Sequence, residues 1–101
     1  MGGNETWVKL TLTKNQWANL KDMAVVMLWE TAYTETAEKR AEKIIRHIDK
    51  KMLTNEDIEE LLPILEDYVG TNRDEGRHSV AAMYKRLENK LENALKHDTK
   101  M

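Results

Sequence analysis

The chain contains no cysteine and no phenylalanine, only one proline, Pro63, and four glycines. Without cysteine there are no disulfides, no zinc–thiolate sites and no thiol nucleophile. The absence fits a reducing, cytoplasmic setting. No apolar run approaches the roughly 18 residues that a membrane span needs, and Met1-Gly2-Gly3-Asn4-Glu5 has neither the basic nor the apolar region of a signal peptide. The formal net charge of -2 means that no overall basicity draws the chain to nucleic acid, although a local basic face remains compatible with such binding.

Catalytic patterns are equally scarce. The glycines form no phosphate cradle. His47, His78 and His97 lie in three separate contexts, with no second histidine at helical spacing for a metal. His47 and Asp49 point to different faces of a helix, and His47 is expected to face solvent. Ser79, the only serine, has His78 beside it in sequence, which does not place that histidine as its base. The carboxylates fall on faces expected to be exposed, where nothing tunes them for acid–base work. The expectation is a protein that is not an enzyme and holds no cofactor or metal.

What is present is helical periodicity. The length of 101 residues and an apolar fraction of 41% predict a single domain with a small core. Residues 1–6 are polar and expected to be flexible. Val8, Leu10 and Leu12 alternate with Lys9 and Thr11, which predicts a strand over 8–12. Thr13 then reads as a helix N-cap, with Gln16 as its capping-box partner. The first helix is apolar all round over Met23–Trp29, so it is central or covered on several sides. The second helix carries the stripe Ala37, Ala41, Ile44, Ile45, Ile48 and Met52. Thr31, Thr34 and Thr36 favour a break between the two, while a stripe through Val26, Trp29, Tyr33, Ala37 and Ala41 is compatible with one long helix.

Thr54 opens a third helix, with Asp57 completing its capping box and Ile58, Leu61, Leu62, Leu65, Tyr68 and Val69 on its apolar face. Pro63 predicts a kink or distorted turn in it, and Gly70 a C-cap. A polar loop is expected over 71–76. The fourth helix carries Val80, Met83, Tyr84, Leu87, Leu91 and Leu95, and frays from Lys96 onward. The predicted fold is mainly α: a small bundle of two helical hairpins, 13–52 and 53–96, with one short N-terminal β-strand.

The hairpins echo one another. Leu12-Thr13 matches Leu53-Thr54, and at the same offset Trp17, Leu20, Ala24 and Leu28 match Ile58, Leu61, Leu65 and Val69. At a slightly shorter offset Ala41, Ile44, Ile45, Ile48 and Met52 match Val80, Met83, Tyr84, Leu87 and Leu91. Any two amphipathic hairpins share much of this spacing. The second helix is basic overall and the third carries Glu56, Asp57, Glu59, Glu60, Glu66 and Asp67 with no base among them. Solvated faces attracting each other across the bundle account for both. A phosphate-contacting second helix and an acidic docking face on the third are the functional alternatives.

An isolated strand has backbone donors and acceptors that require a ladder. Its partner is a twin in a homodimer, an unrecognised segment of the chain such as the N-terminal residues, or another protein joined by strand addition. The sequence thus points first to a non-enzymatic protein-binding module acting as an inhibitor or adaptor, of a size that suits a phage or mobile-element accessory protein. Its candidate contact residues are Trp7, Val8, Lys9, Leu10, Thr11, Leu12, Val25 and Trp29.

The second reading rests on a resemblance. Residues 8–24, "VKLTLTKNQWANLKDMA", resemble the opening of ribbon-helix-helix repressors, in which an alternating strand leads through a capping residue into a helix with apolar positions where Trp17, Leu20 and Ala24 stand. The resemblance implies a dimer whose paired strands enter the major groove, with Lys9, Thr11 and Thr13 contacting DNA and "TETAEKRAEKIIRHI" as the second helix. This chain departs from that pattern where its first helix runs on through Val25–Glu30 without glycine and where two further helices follow.

Overall fold

A computed structural model describes residues 6–99. In chain order the elements are β1 (Trp7–Val8), α1 (Lys14–Ala24), a π-helical segment (Val25–Trp29), α2 (Glu35–Asp49), β2 (Leu53–Thr54), α3 (Asn55–Asp74) and α4 (His78–Thr99). The chain is a small helical bundle of two hairpins, clipped by a two-stranded antiparallel sheet in which Trp7 pairs with Thr54 and Val8 with Leu53.

Three threonines start three helices. Thr13 Oγ1 accepts from the Gln16 N–H at 3.1 Å, and Gln16 Oε1 accepts from the Thr13 N–H at 3.0 Å. Thr54 and Asp57 repeat this reciprocal arrangement at 3.1 and 2.9 Å. Thr34 caps α2 through the Ala37 N–H at 3.0 Å, which puts the break between the first two helices where the threonine cluster predicts it. The apolar run before that break leaves α-helical geometry. The Glu30 N–H donates to the Val25 carbonyl at 3.1 Å, five residues back, and the Thr31 hydroxyl donates to the Met27 carbonyl at 2.7 Å.

Two helix ends differ from expectation. α3 continues through Gly70 and through part of the expected loop. It stops in a Schellman turn, with the Arg77 N–H on the Asn72 carbonyl at 2.7 Å, the Gly76 N–H on the Arg73 carbonyl at 3.1 Å, and Gly76 at φ 83°. Asn72 makes the extra turn possible. Buried inside what read as a polar loop, it donates to the Tyr68 carbonyl at 2.8 Å and accepts from Arg77 Nε at 3.0 Å. α2 ends in the same kind of turn, the Met52 N–H reaching the His47 carbonyl at 3.0 Å. Here the left-handed position is held by Lys51, at φ 58°, and Met52 is exposed rather than part of the stripe.

α3 is continuous through Pro63. The proline and Glu59, whose carbonyl loses its helical donor, both lie toward solvent, which eases the loss. α4 reaches Thr99, beyond the expected fraying point. Of the N-terminal residues expected to be flexible, 1–5 lie outside the described residues. Thr6 is tied down: its N–H donates to Asn55 Oδ1 at 2.8 Å, and its carbonyl accepts from the Asn55 N–H at 2.9 Å.

Leu20, Met23, Ile44, Leu53, Ile58, Leu61, Leu65, Leu87 and Leu91 are fully buried and form one core across both hairpins. Each such side chain contributes about 1.5–3 kcal/mol by leaving water. The echo between the hairpins holds in burial for Trp17 with Ile58, Leu20 with Leu61 and Ala24 with Leu65. It fails for exposed Met52 against buried Leu91. Tyr84 joins α4 to α1 by donating to the Asn19 carbonyl at 3.1 Å and meets Tyr68 edge to face at 4.9 Å. Burial pushes its hydroxyl pKa up to about 12, with Tyr68 and Asp22 adding to the cost of a phenolate. Arg40 of α2 and Glu60 of the acidic α3 lie 3.2 Å apart and tie the two helices together. No helix among the described residues is long and apolar enough to cross a membrane.

Candidate partner-binding groove

The expected strand over 8–12 is shorter and lies one residue earlier, at Trp7–Val8. Its ladder partner is Leu53–Thr54, a segment of the same chain that the sequence reading did not identify as a strand. The residues that would lie opposite Lys9 onward, Met52, Lys51 and Lys50, belong to the turn that ends α2. On the other side α3 begins at Asn55, so the ladder is two residues long and Lys9–Leu12 find no strand opposite them. The alternation survives as burial: Val8 is buried and Leu10 and Leu12 pack on the core, while Lys9 and Thr11 face solvent. The need for a ladder no longer calls for a twin or a second protein. The resemblance to a DNA-reading ribbon loses its geometry too, since Lys9 and Thr11 lie outside the strand and the Thr13 hydroxyl is engaged by Gln16.

Trp7 is 52% exposed and rests edge-on against His47, ring centroids 4.9 Å apart. His47 does not face solvent as expected. Its side chain is 14% exposed, and Nδ1 lies 2.6 Å from Asp57 Oδ2. The same oxygen accepts the Thr54 N–H at 2.9 Å. A carboxylate only accepts, so Nδ1 carries the proton. Asp57 therefore holds α2, β2 and the start of α3 together, with Trp7 laid over the junction. No serine or third ligating group joins the pair, and among the described residues no three His, Asp or Glu side chains converge as a metal set.

A concavity suited to a partner lies elsewhere. The π-helical segment and α2 leave between them an open groove of about 540 Å³, lined by Val25, Trp29, Glu42, Ile45, Arg46 and Asp49. The wide turn places Val25 and Trp29, two of the candidate contact residues, together on one wall. Trp29 is 41% exposed, Val26 is similarly exposed, and Tyr33 in the following connection is 89% exposed. The run expected to be covered on several sides is thus covered on the side of Met23 and Ala24 and left open at Val26 and Trp29. At the end of the groove Lys21 Nζ pairs with Asp49 at 2.7 Å.

Ile45, Glu42, Arg46 and Asp49 are not among the contact residues that the sequence points to. The available signal was the position of Ile45 at the edge of the α2 stripe, next to acidic residues at helical spacing. Compared with family models, with curated proteins and with solved structures, the chain matches none.

Proposed function

We propose that the protein is a small non-enzymatic protein-binding module, acting in the cytoplasm as an inhibitor or adaptor by occupying a partner's surface. The observation that carries this reading is apolar surface left uncovered: Val25, Trp29 and Ile45 line an open groove, and Val26 and Tyr33 are exposed nearby. A monomer with a well-filled core gains nothing from presenting tryptophan to water, and exposed tryptophan is the residue type that anchors protein interfaces. The groove takes over from the N-terminal strand as the candidate contact surface.

Photo-crosslinking tests the reading. A benzophenone side chain at Val26 is expected to give one adduct of defined mass in the native cell, lost when Trp29→Ala is added. The same probe at Glu66, on the exposed side of α3, serves as control. Equal, heterogeneous labelling at both positions refutes it. So does salt-sensitive DNA binding that Lys9→Glu abolishes without unfolding the chain.

A further inference from the structure

We infer that the groove between the π-helical segment and α2 receives a basic amphipathic helix of a partner protein. The inference rests on the protein-binding reading and specifies its chemistry. Its basis is the way charge is sorted around α2. At about 100° per residue, Glu38, Asp49, Glu42 and Glu35 fall in turn roughly 20–80° round the helix from Ile45. Lys39, Lys43 and Arg40 follow at roughly 120–220° on the same count. Every acid of α2 thus lies on the groove side, with Lys39 at the edge of that face, while Lys43 and Arg40 lie on the far side, where Arg40 reaches Glu60.

Over Glu35–Asp49 the four acids and four bases of α2 cancel, the expected basic excess coming from Lys50 and Lys51 beyond its end, so the charge of the groove-side face is set by this sorting. Asp49 is matched by Lys21. Glu42 lines the groove with Arg46 one turn on, and Glu35 and Glu38 extend the acidic stripe on the same side with Lys39 at its edge, beside an apolar floor of Val25, Trp29 and Ile45. A floor of that kind with an acidic flank is complementary to a helix carrying apolar side chains at i, i+3, i+4 and i+7 and lysine or arginine on its adjoining edge. Two adjacent helical walls also accept a third helix by ridges-into-grooves packing.

The same sorting argues against other occupants. In a two-fold dimer the patch meets itself, and the acidic stripes oppose one another. Anionic lipid and nucleic acid bring phosphate to an acidic edge.

Three synthetic helical peptides with one shared leucine pattern, and with lysine, glutamine or glutamate at the flanking positions, test the inference against the full chain. The lysine peptide is expected to shift the Trp29 indole N–H resonance ahead of those of Trp17 and Trp7. It is expected to bind at least about tenfold more tightly than the glutamate peptide, an advantage that fades with added salt. Glu38→Lys with Glu42→Lys, both at exposed positions and checked by thermal melting, is expected to reverse the ranking. Equal binding of all three peptides, or a ranking unchanged by the double variant, overturns the charge inference and leaves the protein-binding reading standing. If no peptide perturbs Trp29, both fall.

Discussion

Replacing Asp57 with alanine is the sharpest test of how the two hairpins are joined. Asp57 is 3% exposed, and its Oδ2 takes two donors, the Thr54 N–H at 2.9 Å and His47 Nδ1 at 2.6 Å. Truncation leaves the buried Thr54 N–H without an acceptor, which costs about 1–3 kcal/mol. It removes a hydrogen bond to a charged group from His47, about 1.5–3 kcal/mol. It also takes a negative charge from the first turn of α3, about 0.3–1 kcal/mol. The three losses share one side chain and do not simply add, so about 3–5 kcal/mol is expected, a large part of a total stability of about 5–15 kcal/mol. Urea denaturation of Asp57→Ala measures the loss. A double-mutant cycle of Asp57→Asn with His47→Gln isolates the side-chain pair, with an expected coupling of about 1–3 kcal/mol. A loss below about 1 kcal/mol for Asp57→Ala, within the range of an ordinary exposed substitution, or a coupling indistinguishable from zero, refutes the reasoning.

Gly70→Ala and Gly76→Ala are expected to move stability in opposite directions. Neither added methyl meets an atom within 4 Å, but Gly70 is mid-helix and Gly76 sits at φ +83°. The first change stabilises by about 0.5–1 kcal/mol and the second destabilises by about 1–2 kcal/mol, both read by chemical denaturation. Lys51→Gly relieves a left-handed lysine and is expected to raise stability by up to about 1 kcal/mol in the same assay. Because Tyr84 ionises at about 12 in the folded state instead of 10.0, its neutral form stabilises the fold below pH 10 and that contribution fades as pH rises toward 12. The shift corresponds to about 1–3 kcal/mol. Melting curves of Tyr84→Phe are expected to fall less steeply over that pH interval than those of the wild type.

The helices and their starts were legible in the sequence because they rest on local chemistry. The hydroxyls of Thr13, Thr34 and Thr54 need only an N–H three residues on, and the apolar stripes need only a constant pitch. The second strand was not legible. Leu53–Thr54 is two residues held between a Schellman turn and a helix cap, too short for any period, and the turn before it carries Lys51 in place of the usual glycine. Gly70 misled because the signal for a helix end is the same residue type wherever it stands, and the buried hydrogen bonds of Asn72 carry the helix further. The groove was half legible: Trp29 and Val25 stood out as apolar surplus. That α2 leaves them uncovered depends on how two helices meet, which no local pattern encodes. The pairing of His47 with Asp57 depends on a contact across ten residues that a wheel drawn for one helix does not contain.

The clip between β1 and β2 also has a temporal consequence. It joins residue 7 to residue 54, so its closure must wait until a loop containing the whole first hairpin has been drawn together. The contacts between α3 and α4 span a short turn and carry little of that entropic delay. The second hairpin is therefore expected to form early, and the clip to form late and open first. Trp7, half in solvent against His47, is placed to report that last step: its fluorescence should change in a slower refolding phase than the helical signal. The backbone amides of Trp7 and Asn55 should exchange with solvent ahead of those of Leu61 and Leu65.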